Sequence, residues 1–377
     1  MTMNTGNFWP DATQTLLLRA CLAPDEDTAV AAWKLWQAAT NLESIDGGSY
    51  RLLPLLAWRL LAFKQDHPLL PRLRGCLRQS WVASQHMQCT AAAAAMALKD
   101  KGIPVLLFKG AALDLLAYPA RGLRPMLDVD IAVPRARAND AWDALVARDW
   151  RPGLAREQAL RPYAMAVSFK HSSYGEVDLH FSLFHESADA GLTQSLWDGA
   201  RPLELCQQHC LTLGAGDLLV HVIAHGCRSD PLPPIRWVAD AVWILRGGNI
   251  DWERFLALVS QLRIRMVMEH ALRYLVNAHQ VDVPNHVLGA LRGPHVWLER
   301  AEYRYARVHG YGALLVLGQF VRLNANSNAL QLLARLPAHL QQYWDEPTLA
   351  ATVRTFCVKS ARAAKRAITN SLRKSCG

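Results

Sequence analysis

The chain lacks an apolar run long enough to cross a membrane. Its densest apolar stretch, Leu52 to Phe63, is short and is interrupted by Arg59, whereas a membrane helix needs about 20 predominantly apolar residues. The first residues, Met1 to Pro10, also lack the basic region and apolar core of a signal peptide. We therefore expect a soluble, cytoplasmic protein without a membrane span.

Regularly spaced cysteines are also missing, although the chain has eight Cys. The nearest pair, Cys206 and Cys210, flanks His209 but has no second ligand pair of the kind that structural zinc sites use. The spacing therefore argues against a zinc site. Cys76, Cys89 and Cys227 lie within helix-like stretches, which suits reduced thiols in a cytosolic compartment.

Acidic residues are absent after Glu346, in a chain with a formal net charge of +9. Such a basic tail could bind an anionic partner such as a nucleic acid, an acidic peptide or a membrane surface. A solvated C-terminal helix explains the same pattern without any partner. The cations of the tail are Arg354, Lys359, Arg362, Lys365, Arg366, Arg373 and Lys374.

The periodicity of apolar residues predicts an α+β fold with four regions. Residues 1–102 and 187–345 show helical periodicity, and residues 346–377 form the basic tail. Between them, residues 103–186 alternate short apolar runs with turns, which is typical of a small α/β core. We further expect a turn at Gly47–Gly48, continuous helix after Ala188 and an N-cap at Asp217.

Three carboxylates on predicted strands are candidate metal ligands. Asp128 and Asp130 are two residues apart, so strand geometry directs both to one face. Two anions this close need a compensating cation, and Mg²⁺ prefers oxygen ligands. Asp178 lies on a later strand that we expect in the same sheet. An isolated D-x-D pattern occurs by chance, so its significance depends on this third acid.

A glycine turn precedes these acids. Lys109 and Gly110 lie between the apolar run Val105 to Phe108 and a predicted helix that begins at Ala111. The free N–H groups at a helix start can bind phosphate oxygens, and a glycine permits close approach. Lys109 or Arg124 could neutralise a triphosphate further. We therefore predict nucleotide binding by Lys109, Gly110, Ala111 and Arg124.

These motifs, in this order, resemble the uncharacterised nucleotidyltransferase family of the polymerase-β-like superfamily. The resemblance covers roughly residues 50 to 275 and implies a small mixed-sheet nucleotidyltransferase core flanked by helical regions, with NTP and Mg²⁺ (or Mn²⁺) as reactants. Superfamily members commonly have Gly-Ser at the phosphate turn, and Ala111 here is expected to weaken phosphate binding. The matching runs are Leu107–Leu113, Tyr118, Arg124–Val133, Val177–His180, Asp217–Gly226 and Ile235–Asp240.

The resemblance also implies roles for individual residues. Asp128 and Asp130 are expected to bind both metals, and Asp178 to complete the catalytic metal site and accept the proton of the attacking hydroxyl. Five further residues are candidates for contacting substrate or supporting the site, although core or supporting histidines and a simple helical ion pair are the more frequent explanations for four of them. They are His180, His221, His225, Arg236 and Asp240.

The function that this pattern favours is transfer of a nucleoside monophosphate from an NTP to a hydroxyl acceptor. The acceptor remains open between a peptide, a protein, a sugar phosphate and RNA. Members of the resembled family are often encoded beside clusters that make modified peptides, including lasso peptides, which suggests peptide tailoring. The alternatives are a non-catalytic NTP- or peptide-binding module on the same fold and a toxin-type nucleotidyltransferase acting on tRNA or protein.

Overall fold

A mixed β-sheet with helices on both faces organises the chain in the computed structural model, as an α+β fold. Within the residues that the structure describes, the sheet has seven strands in the order β3-β4-β5-β2-β1-β7-β6. The strands are β1 Leu106–Leu107, β2 Val129–Ala132, β3 Arg151–Pro152, β4 Ala166–His171, β5 Gly175–His180, β6 Arg201–Leu205 and β7 Gln208–Thr212. The described residues are 8–161, 164–184, 190–228, 234–293, 295, 297–306, 316–318, 320–321, 324, 327–344 and 346–361.

Helices precede and follow the sheet, and the expected α+β class is confirmed. Those of the first half are α1 Ala12–Leu22, α2 Glu26–Ala39, α3 Gly47–Tyr50, α4 Leu53–Ala62, α5 Leu70–Lys99, α6 Lys109–Leu116, α7 Ala138–Val146 and α8 Arg156–Ala159. Those of the second half are α9 Ala190–Asp198, α10 Ala215–Gly226, α11 Arg236–Gly247, α12 Trp252–Leu262, α13 Arg265–His279, α14 Asn285–Leu291, α15 Trp297–Ala306, α16 Ala329–Trp344 and α17 349–361.

The two faces of the sheet belong to two different apolar cores. Alternate residues of β2 point to opposite faces because side chains alternate along a strand. Val129 and Ile131 pack in the core formed with the alanine-rich half of α5 and with α7. Ala132 belongs instead to the larger core formed by the N-terminal and C-terminal helices. Asp130 is on the same face as Ala132, so its carboxylate points toward the larger helical layer.

Two parallel pairs set the directions of the central strands. β2 runs parallel to β5, and β1 runs parallel to β7, whereas the other neighbouring strands are antiparallel. In the order of the seven described strands, β2 is the fourth, so β5 and β1 pair with its backbone groups on either side. This central position makes β2 a rigid support for the carboxylate that it carries.

A hairpin of β6 and β7 contradicts the prediction of continuous helix after Ala188. Its two-residue turn is formed by Cys206 and Gln207, both in the left-handed region with φ +46° and +65°. Glycine or asparagine usually marks such a turn, and neither residue is present here. β7 pairs with β1, so the hairpin extends the central sheet. The division into four regions otherwise stays a prediction.

Two local expectations are wrong for identifiable reasons. Gly47 and Gly48 do not form a simple turn but begin the one-turn helix α3, because the Asp46 carboxylate caps its free N–H groups. Asp217 is not an N-cap, since α10 begins at Ala215. Its buried carboxylate instead accepts hydrogen bonds from Arg254 of α12, which ties two helices together.

The basic tail is described only in part. Arg354 and Lys359 lie on α17, and the later cations of the tail are outside the described residues. Among the helices that the structure describes, none combines the length and apolar character that a membrane span requires.

Candidate active site

Asp130 and Asp178 lie opposite each other on neighbouring parallel strands. The register of β2 and β5 pairs these two residues directly, so both carboxylates project from the same face of the sheet. Asp130 is buried and Asp178 is half-buried. His180, two residues after Asp178 on β5, projects from that face as well. Strand pairing thus brings Asp130 together with Asp178 and with His180, which is 50 residues further along the chain.

One oxygen of Asp130 contacts two nitrogen-bearing side chains. Lys109 Nζ donates to Asp130 Oδ1 at 2.6 Å, and His180 Nε2 lies 2.9 Å from the same atom. Burial alone would raise the pKa of Asp130, but the His180 contact and the Lys109 charge hold that pKa well below its usual range. Asp130 is therefore a permanent anion at neutral pH.

The second carboxylate is shifted in the opposite direction. Burial raises the pKa of Asp178, and the negative charges of Asp130 and Asp128 raise it further. A carboxylate that is a stronger base than usual suits the acceptance of a proton. Two neighbouring carboxylates with opposed pKa shifts are a recurring feature of functional sites, because repulsion between like charges is relieved only by a proton or a cation.

Asp128 takes a different place from the other two acids. It is exposed and precedes β2, which begins at Val129. The group of described residues with ligand atoms close enough to hold one metal ion consists of Asp130, Asp178 and His180, and Asp128 is not part of it. Asp128 nevertheless lies near enough for its charge to act on Asp178. It is a rim residue of the site, on the solvent side.

The donor set of these three residues fits a divalent cation. Their ligand atoms lie within 4.8 Å of one another. Ligands at about 2.1 Å from an octahedral ion are about 3 Å apart when adjacent and about 4 Å apart when opposite. The cluster therefore matches a single coordination sphere after side-chain adjustments of a few tenths of an ångström.

Lys109 begins α6 in an unusual backbone conformation. Its φ is +52°, in the left-handed region, which costs a residue with a Cβ atom on the order of 1 kcal/mol or more. The conformation directs the ammonium group to Asp130 while the side chain lies over the ring of Phe108. α6 has no side-chain N-cap, so its first N–H groups, including those of Gly110 and Ala111, are not capped by a side chain.

The reason for a glycine at position 110 is internal packing. A Cβ atom there would lie 2.8 Å from Arg124 Nη1 and 2.8 Å from Met126 Sδ. We expected this glycine to permit the close approach of a phosphate, but the space beside its Cα is filled by side chains of the segment that leads into β2. Gly110 thus allows α6 and that segment to pack closely together.

Arg124 is held by a buried polar network. Its guanidinium donates two hydrogen bonds to Asp240 of α11, at 2.8 and 3.0 Å, and Tyr118 Oη donates to the same carboxylate at 2.7 Å. The expected helical ion pair between Arg236 and Asp240 is therefore wrong. Arg236 donates to the carbonyl oxygen of Pro125 at 2.6 Å, and burial next to Arg124 lowers its pKa to about 10.

Tyr118 is the member of this network that had no predicted role. It belongs to a run matched by the resemblance, but its partner Asp240 is 122 residues away, so no short-range spacing signals the contact. Burial and the neighbouring Asp240 charge raise the pKa of Tyr118 well above its usual value. The phenol therefore stays protonated and acts as a hydrogen-bond donor.

His221 lies in the core beneath the site, whereas His225, one turn later on α10, is exposed. Both are on α10, with ring centroids 5.9 Å apart, and the His221 ring packs edge-on against Phe108 and Phe184. Burial holds the pKa of His221 well below the usual value, and the positive charge of Lys109 contributes to the shift. His221 is therefore neutral at pH 7 and supports Phe108, which in turn contacts Lys109.

The part of the chain that carries this site matches a known protein family. The model of one family, described as uncharacterised nucleotidyltransferase, matches residues 49–278, which is more than half of the chain. The chain belongs to this nucleotidyltransferase family. All residues of the candidate site, from Lys109 to Asp240, lie within the matched part. No curated protein and no solved structure matches the chain.

Membership in the nucleotidyltransferase family supports a transferase that uses an NTP, and the group formed by Asp130, Asp178 and His180 is suited to the divalent metal that such enzymes typically use.

Proposed function

We propose that the protein transfers a nucleoside monophosphate from an NTP to a hydroxyl group, with Mg²⁺ or Mn²⁺ bound at the sheet. The observation that carries this proposal is the pair Asp130 and Asp178, opposite each other on parallel strands with opposed pKa shifts. Such a pair provides one permanent anion for a cation and one basic carboxylate for a proton.

Asp130 and Asp178 would hold the metal, with Asp128 at the solvent-facing rim. A bound divalent ion neutralises triphosphate charge and makes an attacking hydroxyl more acidic. Asp178, whose pKa is raised in the metal-free protein, would accept the proton that the hydroxyl loses. Asp130 is ionised before any metal binds, because His180 and Lys109 stabilise its charged form.

The phosphate-binding role falls to the start of α6. Lys109 provides an ammonium group beside the carboxylates, and the uncapped N–H groups at Gly110 and Ala111 are suited to phosphate oxygens. Ala111 cannot add the hydroxyl contact of a serine. Arg124 has a positioning role. Two hydrogen bonds to Asp240 hold its guanidinium in place. It packs against Gly110 and orients the segment that carries Asp128.

A peptide or protein is the acceptor that we favour, in the tailoring of peptide natural products. Leu127, next to Asp128, is 81% exposed, so the rim of the site presents an apolar side chain beside its acids. A polypeptide hydroxyl flanked by apolar side chains suits such a rim better than a highly charged acceptor does. A toxin-type activity on tRNA, and an NTP- or peptide-binding module without turnover, are the outcomes that the test must separate.

The test is pyrophosphate release from each NTP with Mg²⁺ or Mn²⁺, with and without extract of the source cells. Asp130→Asn is the test variant. Asp198→Asn, the same change at an exposed residue of α9, is the matched control. Release that depends on Asp130 and rises with extract supports transfer, and a labelled NTP then identifies the acceptor.

Three results would count against the proposal. Metal-dependent NTP binding without release, even with extract, would favour a binding module. Labelling of tRNA in place of a peptide or protein would favour the toxin-type reaction. If no NTP binds under any condition, nucleotidyl transfer is excluded.

A further inference from the structure

His180 is placed as a possible metal ligand and not only as a partner of Asp130. Its Nε2 atom lies 2.9 Å from Asp130 Oδ1, which is about the separation of adjacent ligands around one octahedral ion. A ligand atom of Asp178 lies within 4.8 Å of both. As a ligand, the neutral imidazole would carry its proton on Nδ1 and turn the Nε2 lone pair to the ion in place of the contact with Asp130, filling the position of a third carboxylate oxygen.

The surroundings fix the imidazole in this place. The ring packs edge-on against Phe108, with ring centroids 4.9 Å apart, and Phe108 is fully buried. β5 fixes the backbone of His180 through its pairing with both β2 and β4. Packing holds the ring on one side, and strand pairing holds the backbone that carries it. The imidazole is therefore pre-organised to present one nitrogen.

Orientation of Asp130 alone does not require this histidine. Lys109 Nζ already donates to the same oxygen at 2.6 Å and supplies charge stabilisation. A second donor on one oxygen adds little to its orientation. A nitrogen within reach of both carboxylates, in contrast, completes a three-ligand set.

The nature of this donor set bears on which metal binds. Mg²⁺ takes oxygen ligands almost exclusively, whereas imidazole suits ions of the first transition series. Mn²⁺ prefers carboxylate oxygens, as Mg²⁺ does, but as an ion of the first transition series it accepts an imidazole nitrogen more readily than Mg²⁺. We propose that His180 is a ligand of the bound metal and makes the site select Mn²⁺ over Mg²⁺. This inference rests on the metal site of the proposed function and specifies its ligand and its ion.

The test uses the electron spin-echo signal, recorded by electron paramagnetic resonance, of Mn²⁺ bound to the full chain. A ¹⁴N nucleus of a coordinated imidazole modulates the echo, and labelling the histidines of the wild-type protein with ¹⁵N changes that modulation. We expect nitrogen modulation in the wild-type protein and its loss in His180→Asp, which has only oxygen ligands. His209→Ala, at an exposed histidine of β7, should retain the modulation.

Competition between the two ions gives an independent measure. The ratio of Mg²⁺ to Mn²⁺ needed to displace half of the bound Mn²⁺ should fall at least about tenfold in His180→Asp. Bound Mn²⁺ without nitrogen modulation in the wild-type protein, or an unchanged ratio in a folded His180→Asp, would overturn the inference. The ¹⁵N comparison decides the question even if that variant fails to fold.

The failure of this inference can be distinguished from failure of the proposed function. Pyrophosphate release with Mg²⁺ and a nitrogen-free echo would overturn the role of His180 and leave nucleotidyl transfer intact. Nitrogen modulation without pyrophosphate release would support the ligand while the transfer reaction fails.

Discussion

Asp130 and Asp178 form a register pair across the parallel strands β2 and β5, with their carboxylates on the same face of the sheet. Their pKa values are shifted in opposite directions. Contacts with His180 and Lys109 lower the pKa of Asp130, whereas burial and the nearby negative charges raise the pKa of Asp178. The pair links fold to chemistry, since the site exists only when β2 and β5 are paired in this register.

Removal of the buried Asp240 carboxylate should destabilise the fold severely. In Asp240→Asn, Arg124 is left buried without a charge partner and Tyr118 has a weaker acceptor. Breaking one side of a buried ion pair costs on the order of 3–5 kcal/mol, and we expect this loss in the free energy of unfolding by chemical denaturation.

The double variant Arg124→Met/Asp240→Leu separates structure from nucleotide binding. It removes both charges together, so it should be more stable than either single variant. If Arg124 acts by positioning the chain, the folded double variant retains NTP binding. Loss of NTP binding in a double variant as stable as the wild type would show instead that Arg124 contacts the nucleotide.

Gly110→Ala should destabilise the protein by about 1–3 kcal/mol, the usual cost of overpacking. The new Cβ would lie 2.8 Å from an Arg124 guanidinium that Asp240 holds in place. Gly75→Ala is the matched control, because that helical glycine of α5 has nothing within 4 Å of its Cβ position. It should stabilise the protein by up to about 1 kcal/mol. Equal effects of the two variants on the denaturation midpoint would contradict this assignment.

The sequence predicted those parts of the site that depend on local pattern. Asp128, Asp130 and Asp178 were identified because strand periodicity and the surrounding apolar residues are local properties. Parallel pairing then made Asp130 face Asp178 directly, and it left Asp128 outside the strand and exposed. The expected α+β fold followed from the same alternation of short apolar runs and helical periods.

Long-range partners could not be read from spacing. Arg236 and Asp240 are at the spacing of a helical ion pair, yet Asp240 is taken by Arg124, which is 116 residues away. The hairpin of β6 and β7 was missed because its turn residues, Cys206 and Gln207, adopt a conformation that glycine or asparagine usually signals. In both cases, tertiary packing overrides the local pattern.

Acidification should destabilise the protein through its buried histidines. Burial, with the nearby charge of Arg246, lowers the pKa of His279 to about 4 from a usual value of about 6.5. Between these values the unfolded chain binds a proton and the folded chain does not. The contribution of His279 to the free energy of unfolding is therefore complete above about pH 6.5. It falls by up to about 3 kcal/mol as the pH drops toward 4.

The check is the free energy of unfolding measured between pH 4.5 and 7.5. His279→Gln cannot take up the proton, so its curve should be flatter than that of the wild type over this range. His209→Gln, the same change at an exposed residue, is the control. A wild-type curve as flat as that of His279→Gln would argue against the assigned shift, which the buried His221 shares in direction.

The most direct test of the account is equilibrium binding of an NTP with and without Mg²⁺ or Mn²⁺, for the wild type, Asp178→Asn and the exposed control Asp198→Asn. We predict metal-dependent binding by the wild type and the control, and an affinity at least about tenfold lower for a correctly folded Asp178→Asn. NTP binding that is independent of metal, or unchanged in Asp178→Asn, would contradict a nucleotide site built on the Asp130–Asp178 pair.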